Sequence, residues 1–189
     1  MVVIVISGMP GCGSSTSAKL LAKKLKLKHF SVGDYNKGQI EKLTGKKPDT
    51  ETERSLQMWH NKTGSSKRFH VNSDKLARQI AKDGNIVIDA KLGIRLLKGL
   101  YDLSVWLKAP KPVRIKRYAE RDKKSIKEAK KMLDEKESDE RKNWKRIYGF
   151  DYFVQEKEAN IVIDTIYKSP EKIVNIIIKE LRKNPLMGL

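Results

Sequence analysis

The chain has 189 residues, with 41 Lys and Arg against 23 Asp and Glu, a formal net charge of +18. That length fits one domain with a real core, and 39% hydrophobic with 34% charged residues excludes a disordered chain. No run approaches the roughly 18 uncharged apolar residues of a membrane span, and the single Cys12 excludes a disulfide framework or cysteine-rich zinc site. A reducing, cytoplasmic location is expected. The positive charge suits anionic partners, but much of it lies in Lys-rich helical stretches such as 23–28 and 125–136, and Lys/Glu richness also marks proteins from hot environments.

Val2–Ile6 is a short β-branched apolar run without a basic flank, read as a first strand buried on both faces rather than a signal peptide. Ser14–Leu27 follows as a helix, with Leu20, Leu21 and Leu25 on one face. Residues 28–32, Ile86–Ile88, Leu103–Leu107 and Ile161–Ile163 supply four more short strands. Strands alternating with helical crossovers predict a parallel sheet covered on both faces. Residues 34–83 are polar and largely helical, broken at 45–48 and 64–66. Residues 122–149 are charged and helical with a thin apolar stripe, opened by the capping box Ser125–Glu128. Both are expected to be mobile inserts on one core spanning 1–189. Ser169-Pro170 starts a last helix with Ile173, Ile176, Ile177 and Leu181 on its apolar face, and the tail Asn184–Leu189 is expected to fray.

Chemistry concentrates after the first strand, in Gly8-Met9-Pro10-Gly11-Cys12-Gly13-Ser14-Ser15-Thr16. A glycine-rich turn from a buried strand into a helix aims backbone N–H groups and the positive dipole end at one point, which makes an anion site. Against the pattern G-x-x-x-x-G-K-[ST], Gly8, Gly13 and Ser15 match, while Ser14 stands where lysine normally reaches the phosphates. Cys12 is read as a small filler rather than a nucleophile, because no histidine is placed beside it. His29, His60 and His70 are scattered and form no metal motif.

The sequence GMPGCGSST, then FSVGDY, NIVIDAKLG, VWLKAPKPVRIKRYAERD, YGFD and IVIDT resembles the archaeal-type cytidylate kinases, within the P-loop nucleoside monophosphate kinases. The resemblance covers 1–34 and 85–183 well and 35–84 poorly. It implies an α/β three-layer sandwich with a five-stranded parallel sheet, a monophosphate-binding insert at 34–83 and a lid at 122–149. ATP with Mg²⁺ would sit on Gly8–Thr16, the metal held by Ser15 and Asp89. CMP or dCMP would be held through Asp34, Lys37, Asp74 and Lys91. Lys91, Arg117, Arg121 and the lid residue Lys136 would stabilise the transferring phosphate. Arg114, Arg117 and Arg121 share a helix face by spacing, and Arg141, Lys142 and Arg146 add lid cations. Lys37 and Lys91 occupy places where the similar kinases carry a basic residue and an arginine respectively, and only arginine offers a planar fork. One cation from Lys91, Arg117 or the lid is expected to replace the charge missing at Ser14.

The base contacts are less determined. Asp74 and Arg78 would face the base or simply solvent, and Trp59, Phe69 and Trp144 would stack on it or pack the insert, packing being commoner. Small-molecule nucleotides are the expected partners of a monomer. The rival reading is a nucleotide-binding protein acting on RNA or in ribosome assembly. A kinase for AMP or UMP is a third.

Overall fold

The structure is a computed structural model describing residues 1–183; the tail expected to fray lies outside the described residues. Five strands, β1 (Val3–Gly8), β2 (Lys28–Ser31), β3 (Ile86–Asp89), β4 (Leu103–Lys108) and β5 (Ile161–Asp164), form one sheet. Their order is β2-β3-β1-β4-β5, all neighbours pairing parallel.

The side-chain period of two divides the core. Ile4, Ile6, Val87, Val105 and Leu107 pack on one face against helices α1 (Ser14–Leu25) and α8 (Pro170–Leu181). Val3, Val5, Ile88 and Trp106 face the other way, against helix α4 (Lys67–Asp83), the short helix α5 (Gly93–Leu96) and Tyr152. On α8 the buried residues are Ile173, Val174, Ile177 and Leu181, whereas Ile176, placed on the apolar face by spacing, is exposed. Val174 takes its place because it points at the sheet.

Side chains cap the amino-terminal ends of the strands. Val3 N–H donates to Asp102 Oδ2 at 2.7 Å, Val2 N–H to Asn85 Oδ1 at 3.2 Å, and Ser104 N–H to Asn160 Oδ1 at 2.8 Å. The carboxyl-terminal ends carry the loops toward which both inserts lean.

The first insert is three helices: α2 (Val32–Thr44), α3 (Glu51–His60) with a Thr50–Glu53 capping box, and α4. After helix α6 (Lys111–Asp122) comes the second insert, one 23-residue helix α7 (Ile126–Tyr148), opened by the expected Ser125–Glu128 box. It is docked rather than solvated. Ala129 and Leu133 pack on Tyr118 and Ala119 of α6. Further along, Trp144 meets Trp59 edge-on at 4.6 Å and His70 at 4.8 Å between ring centroids. Polar contacts extend that seam: His60 Nε2 lies 3.0 Å from Asp139 Oδ2, and Tyr148 OH donates to Asp74.

Candidate active site

The phosphate loop leaves β1 at Gly8 and enters α1 at Ser14. Gly11 and Gly13 adopt φ of 81° and 86°, left-handed values that a side chain rarely tolerates. No side chain caps α1, so the amides of its first turn point at the cleft above them. Three loop carbonyls face outward onto cations. Gly8 O accepts from Lys91 Nζ at 2.9 Å, Pro10 O from Arg114 Nη1 at 3.1 Å, and Gly11 O from Arg117 Nη1 at 3.3 Å.

This arrangement separates the residues expected to act together. Met9, Pro10, Gly11, Ser14 and Ser15 line the cleft, as do Asp34, Lys37, Asp74, Asp89, Lys91, Arg121 and Lys136. Gly8, Cys12, Gly13 and Thr16 complete the loop without lining the cleft. The Cys12 thiol is buried in the core beneath the loop, and its N–H donates to Met9 O at 3.2 Å. Burial pushes the thiol up to about 11, against the pull of Arg114, Lys91 and Arg117, so it is a neutral packing group.

Arg117 is not brought into the cleft. Its guanidinium is held behind the loop by Gly11 O, Thr165 Oγ1 at 2.9 Å and Thr165 O at 2.6 Å. Arg114 is also buried there, bonded to Ala109 O and Glu137. Spacing gave the three arginines a common face but not its direction, and only Arg121 reaches the cleft. Arg78 donates to Leu96 O, Arg141 to Asp151 and Arg146 to Ser65 O, so none of them serves the cleft, and Lys142 is exposed. Phe69 meets His70 edge-on and does not line the cleft; Trp59 and Trp144 pack on each other with one edge in its wall.

Within the cleft, Lys37 Nζ bonds Asp34 Oδ1 at 2.9 Å and also pairs with Glu51. Burial alone would raise both carboxyls, but Lys37, with Lys19 at Asp34 and Arg54 at Glu51, holds them below the usual range. Arg121 bonds Asp122 Oδ1 at 2.7 Å and Thr52 Oγ1 at 2.6 Å, and lies over the Tyr118 ring. Lys136 Nζ reaches across from α7 to Ser55 Oγ at 2.9 Å, with Glu140 at 3.8 Å; burial pushes this lysine down. Ser55, Glu140, Asn36 and His70 line the cleft but were not foreseen. Glu140 lies four residues after Lys136, a spacing that links the two.

Asp89 ends β3 buried, 3.4 Å from Ser31 Oγ, and burial raises its pKa against the pull of the neighbouring Ser15 hydroxyl and the charge of Lys91. A buried carboxylate beside a serine hydroxyl at a helix N-terminus is a hard-oxygen donor set, which fits Mg²⁺.

Two groups at the far end of the cleft carry opposite proton linkage. Burial drives His70 down from 6.5 to about 4 and lifts Asp74 from 3.8 to about 6. The stability contributed by neutral His70 is present above pH 6.5 and lost as pH falls through 4. That contributed by protonated Asp74 is present below 3.8 and lost as pH rises through 6. Each is worth about 3 kcal/mol across that window, with opposite slopes. Relative to wild type, His70→Gln is expected to grow more stable toward acid and Asp74→Asn less stable. Urea unfolding between pH 4 and 7 checks this, and parallel wild-type and variant curves would refute it.

The sequence matches the cytidylate kinase-like family over residues 3–167. Similar proteins include a cytidylate kinase of Sulfolobus acidocaldarius, 33% identical over 96% of this chain and 95% of that one. Others are cytidylate kinases of Methanocaldococcus jannaschii, 31% identical over 93% and 94%, and Ignicoccus hospitalis, 33% over 94% and 97%. Among solved structures, an uncharacterized protein from Eubacterium ventriosum has a TM-score of 0.68 at 16% identity, covering 97% of this chain and all of that one. Shikimate kinase from Aquifex aeolicus has a TM-score of 0.56 at 21% identity, covering 98% and 99%. At that identity these structures bear on the fold alone.

Proposed function

The chain belongs to the cytidylate kinase-like family, and from that premise we propose that it transfers the γ-phosphate of ATP to CMP, giving CDP and ADP, with dCMP as a second acceptor. The observation that carries this reading is the cleft itself, which joins the amide-rich phosphate loop to four cations, Lys37, Lys91, Arg121 and Lys136, interleaved with the carboxylates Asp34, Glu51 and Glu140. A triphosphate fits the α1 amides, and an acceptor monophosphate fits between Lys37 and Arg121. Asp74 and the Trp59–Trp144 wall lie at the end available to the base.

The acceptor phosphate is already ionised and needs no general base; an acceptor oxygen attacks the γ-phosphorus as its bond to the β-γ bridging oxygen breaks. Catalysis is then positioning and charge stabilisation. Ser15 and Asp89 would hold Mg²⁺, which supplies neutralising charge to the phosphates when bound. Arg121 of α6 and Lys136 of the α7 helix packed on it both reach the cleft, so docking of α7 against the first insert covers the site and keeps these cations together.

The test is incubation with ATP, Mg²⁺ and each of CMP, dCMP, UMP, AMP and GMP, with diphosphates resolved by ion exchange. CDP well above the other ribonucleoside diphosphates is the expected result. No diphosphate from any acceptor, by protein that binds ATP, would refute the reading.

A further inference from the structure

We propose that Lys91, reaching in from the end of β3, supplies the phosphate-neutralising cation that the loop lacks at Ser14. This deepens the kinase reading and rests on it for the turnover test.

A loop lysine at position 14 would bring an ammonium to the β- and γ-phosphates. Serine has neither the reach nor the charge, so the loop presents amides and hydroxyls only. The cations around it differ in their engagements. Arg114 and Arg117 brace Pro10 O and Gly11 O from behind, outside the cleft. Arg121 is tied to Asp122 and Thr52, and Lys136 turns to Ser55 on the first insert. Among the described cations, Lys91 alone touches the loop backbone and also lines the cleft, with its ammonium on the carbonyl of the loop's first residue.

An ammonium has three donors. One is spent on Gly8 O, and Glu140 Oε2 at 3.7 Å attracts without a direct hydrogen bond. Donors therefore remain for phosphate oxygens above Ser14 and Ser15. The lysine is fixed before any ligand arrives. Gln155 Nε2 donates to the Lys91 carbonyl at 3.0 Å, and Ser7 Oγ donates to the Ala90 carbonyl at 2.6 Å. Such preorganised charge stabilises a transition state without reorganising at the moment of transfer. Lys91 moves no proton; it offsets charge as the β–γ bridging oxygen takes the electron pair and ADP leaves.

The resemblance to the archaeal-type kinases instead implies a grip on the acceptor phosphate, and the two roles separate experimentally. Lys91→Met is expected to lower kcat about a hundredfold, while KM for CMP stays within about threefold. Adding Ser14→Lys to it is expected to restore kcat at least roughly tenfold, a recovery that general structural damage would not give. Loss carried by KM for CMP, or no recovery in the double variant, overturns the assignment. A second readout needs no acceptor turnover. ATP affinity, followed by tryptophan fluorescence, is expected to fall at least roughly tenfold in Lys91→Met, with AMP affinity unchanged as the sign of an intact fold. Equal effects on ATP and AMP also overturn it. Wild-type protein that binds ATP but makes no CDP refutes the kinase reading, and leaves this second comparison to decide Lys91.

Discussion

Replacing Trp144 with Ala is expected to raise KM for CMP at least tenfold and to make residues 122–149 sensitive to protease. The side chain is buried where the two inserts meet, edge-on to both Trp59 and His70 and 5.8 Å from Tyr148. Truncating a buried tryptophan costs about 3–5 kcal/mol. Here much of the loss falls on one contact between α7 and the first insert, because the other end of α7 remains anchored through Ala129 and Leu133. Every 1.4 kcal/mol withdrawn from the docked arrangement lowers its population about tenfold once it ceases to dominate, and apparent affinity falls in step. Steady-state kinetics with CMP and timed limited proteolysis measure both effects. Values within twofold of wild type would mean that the aromatic seam does not hold the site together.

The second large effect is expected at Gly8. A Cβ there would stand 2.5 Å from Leu107 O and 3.1 Å from Leu107 Cβ. Those atoms belong to β4, paired in register with Gly8, and Met9 N–H donates to the same Leu107 O at 3.2 Å. Neither strand can yield, because both are buried in the middle of the sheet. Gly8→Ala is expected to destabilise the fold by about 3 kcal/mol, lowering Tm by roughly 6–12 °C. It should also weaken ATP binding at least tenfold, since Lys91 and the loop both take their positions from this residue. Gly38→Ala is the control. Nothing lies within 4 Å of its added methyl, and removing glycine from a helix interior is expected to stabilise by about 0.5–1 kcal/mol. Calorimetric scans of the two variants decide the matter, and equal melting temperatures would refute the account.

All five strands were legible in the sequence, for a physical reason. β1, β3 and β4, buried along nearly their whole length, must be largely apolar, and β-branched runs between polar turns have few other readings; the edge strands β2 and β5 are part-exposed, and β2 carries no such run. The phosphate loop was legible because its parts are local: glycine torsions, helix start and hydroxyls fall within nine residues. The caps at Ser125 and Ser169 follow the same logic. What was hidden depends on the direction a helix turns in space. Arg114, Arg117 and Arg121 read as equivalent in sequence, yet α6 takes two of them behind the loop and one into the cleft. Glu140 sits inside a run of charges that looks solvated throughout, and only docking of α7 buries it between Lys91 and Lys136. In the first insert, His70 reads as one polar residue among many until Trp59 and Trp144 enclose it.

The side-chain caps at Asp102, Asn85 and Asn160 fasten one rim of the sheet, while the loop, Asp89 and Lys91 occupy the other. These caps therefore add to durability from positions a strand's length away from the chemistry. The fastened rim is open ground for variation: sequence drift there can raise or lower heat tolerance while turnover at the opposite rim goes on unaltered.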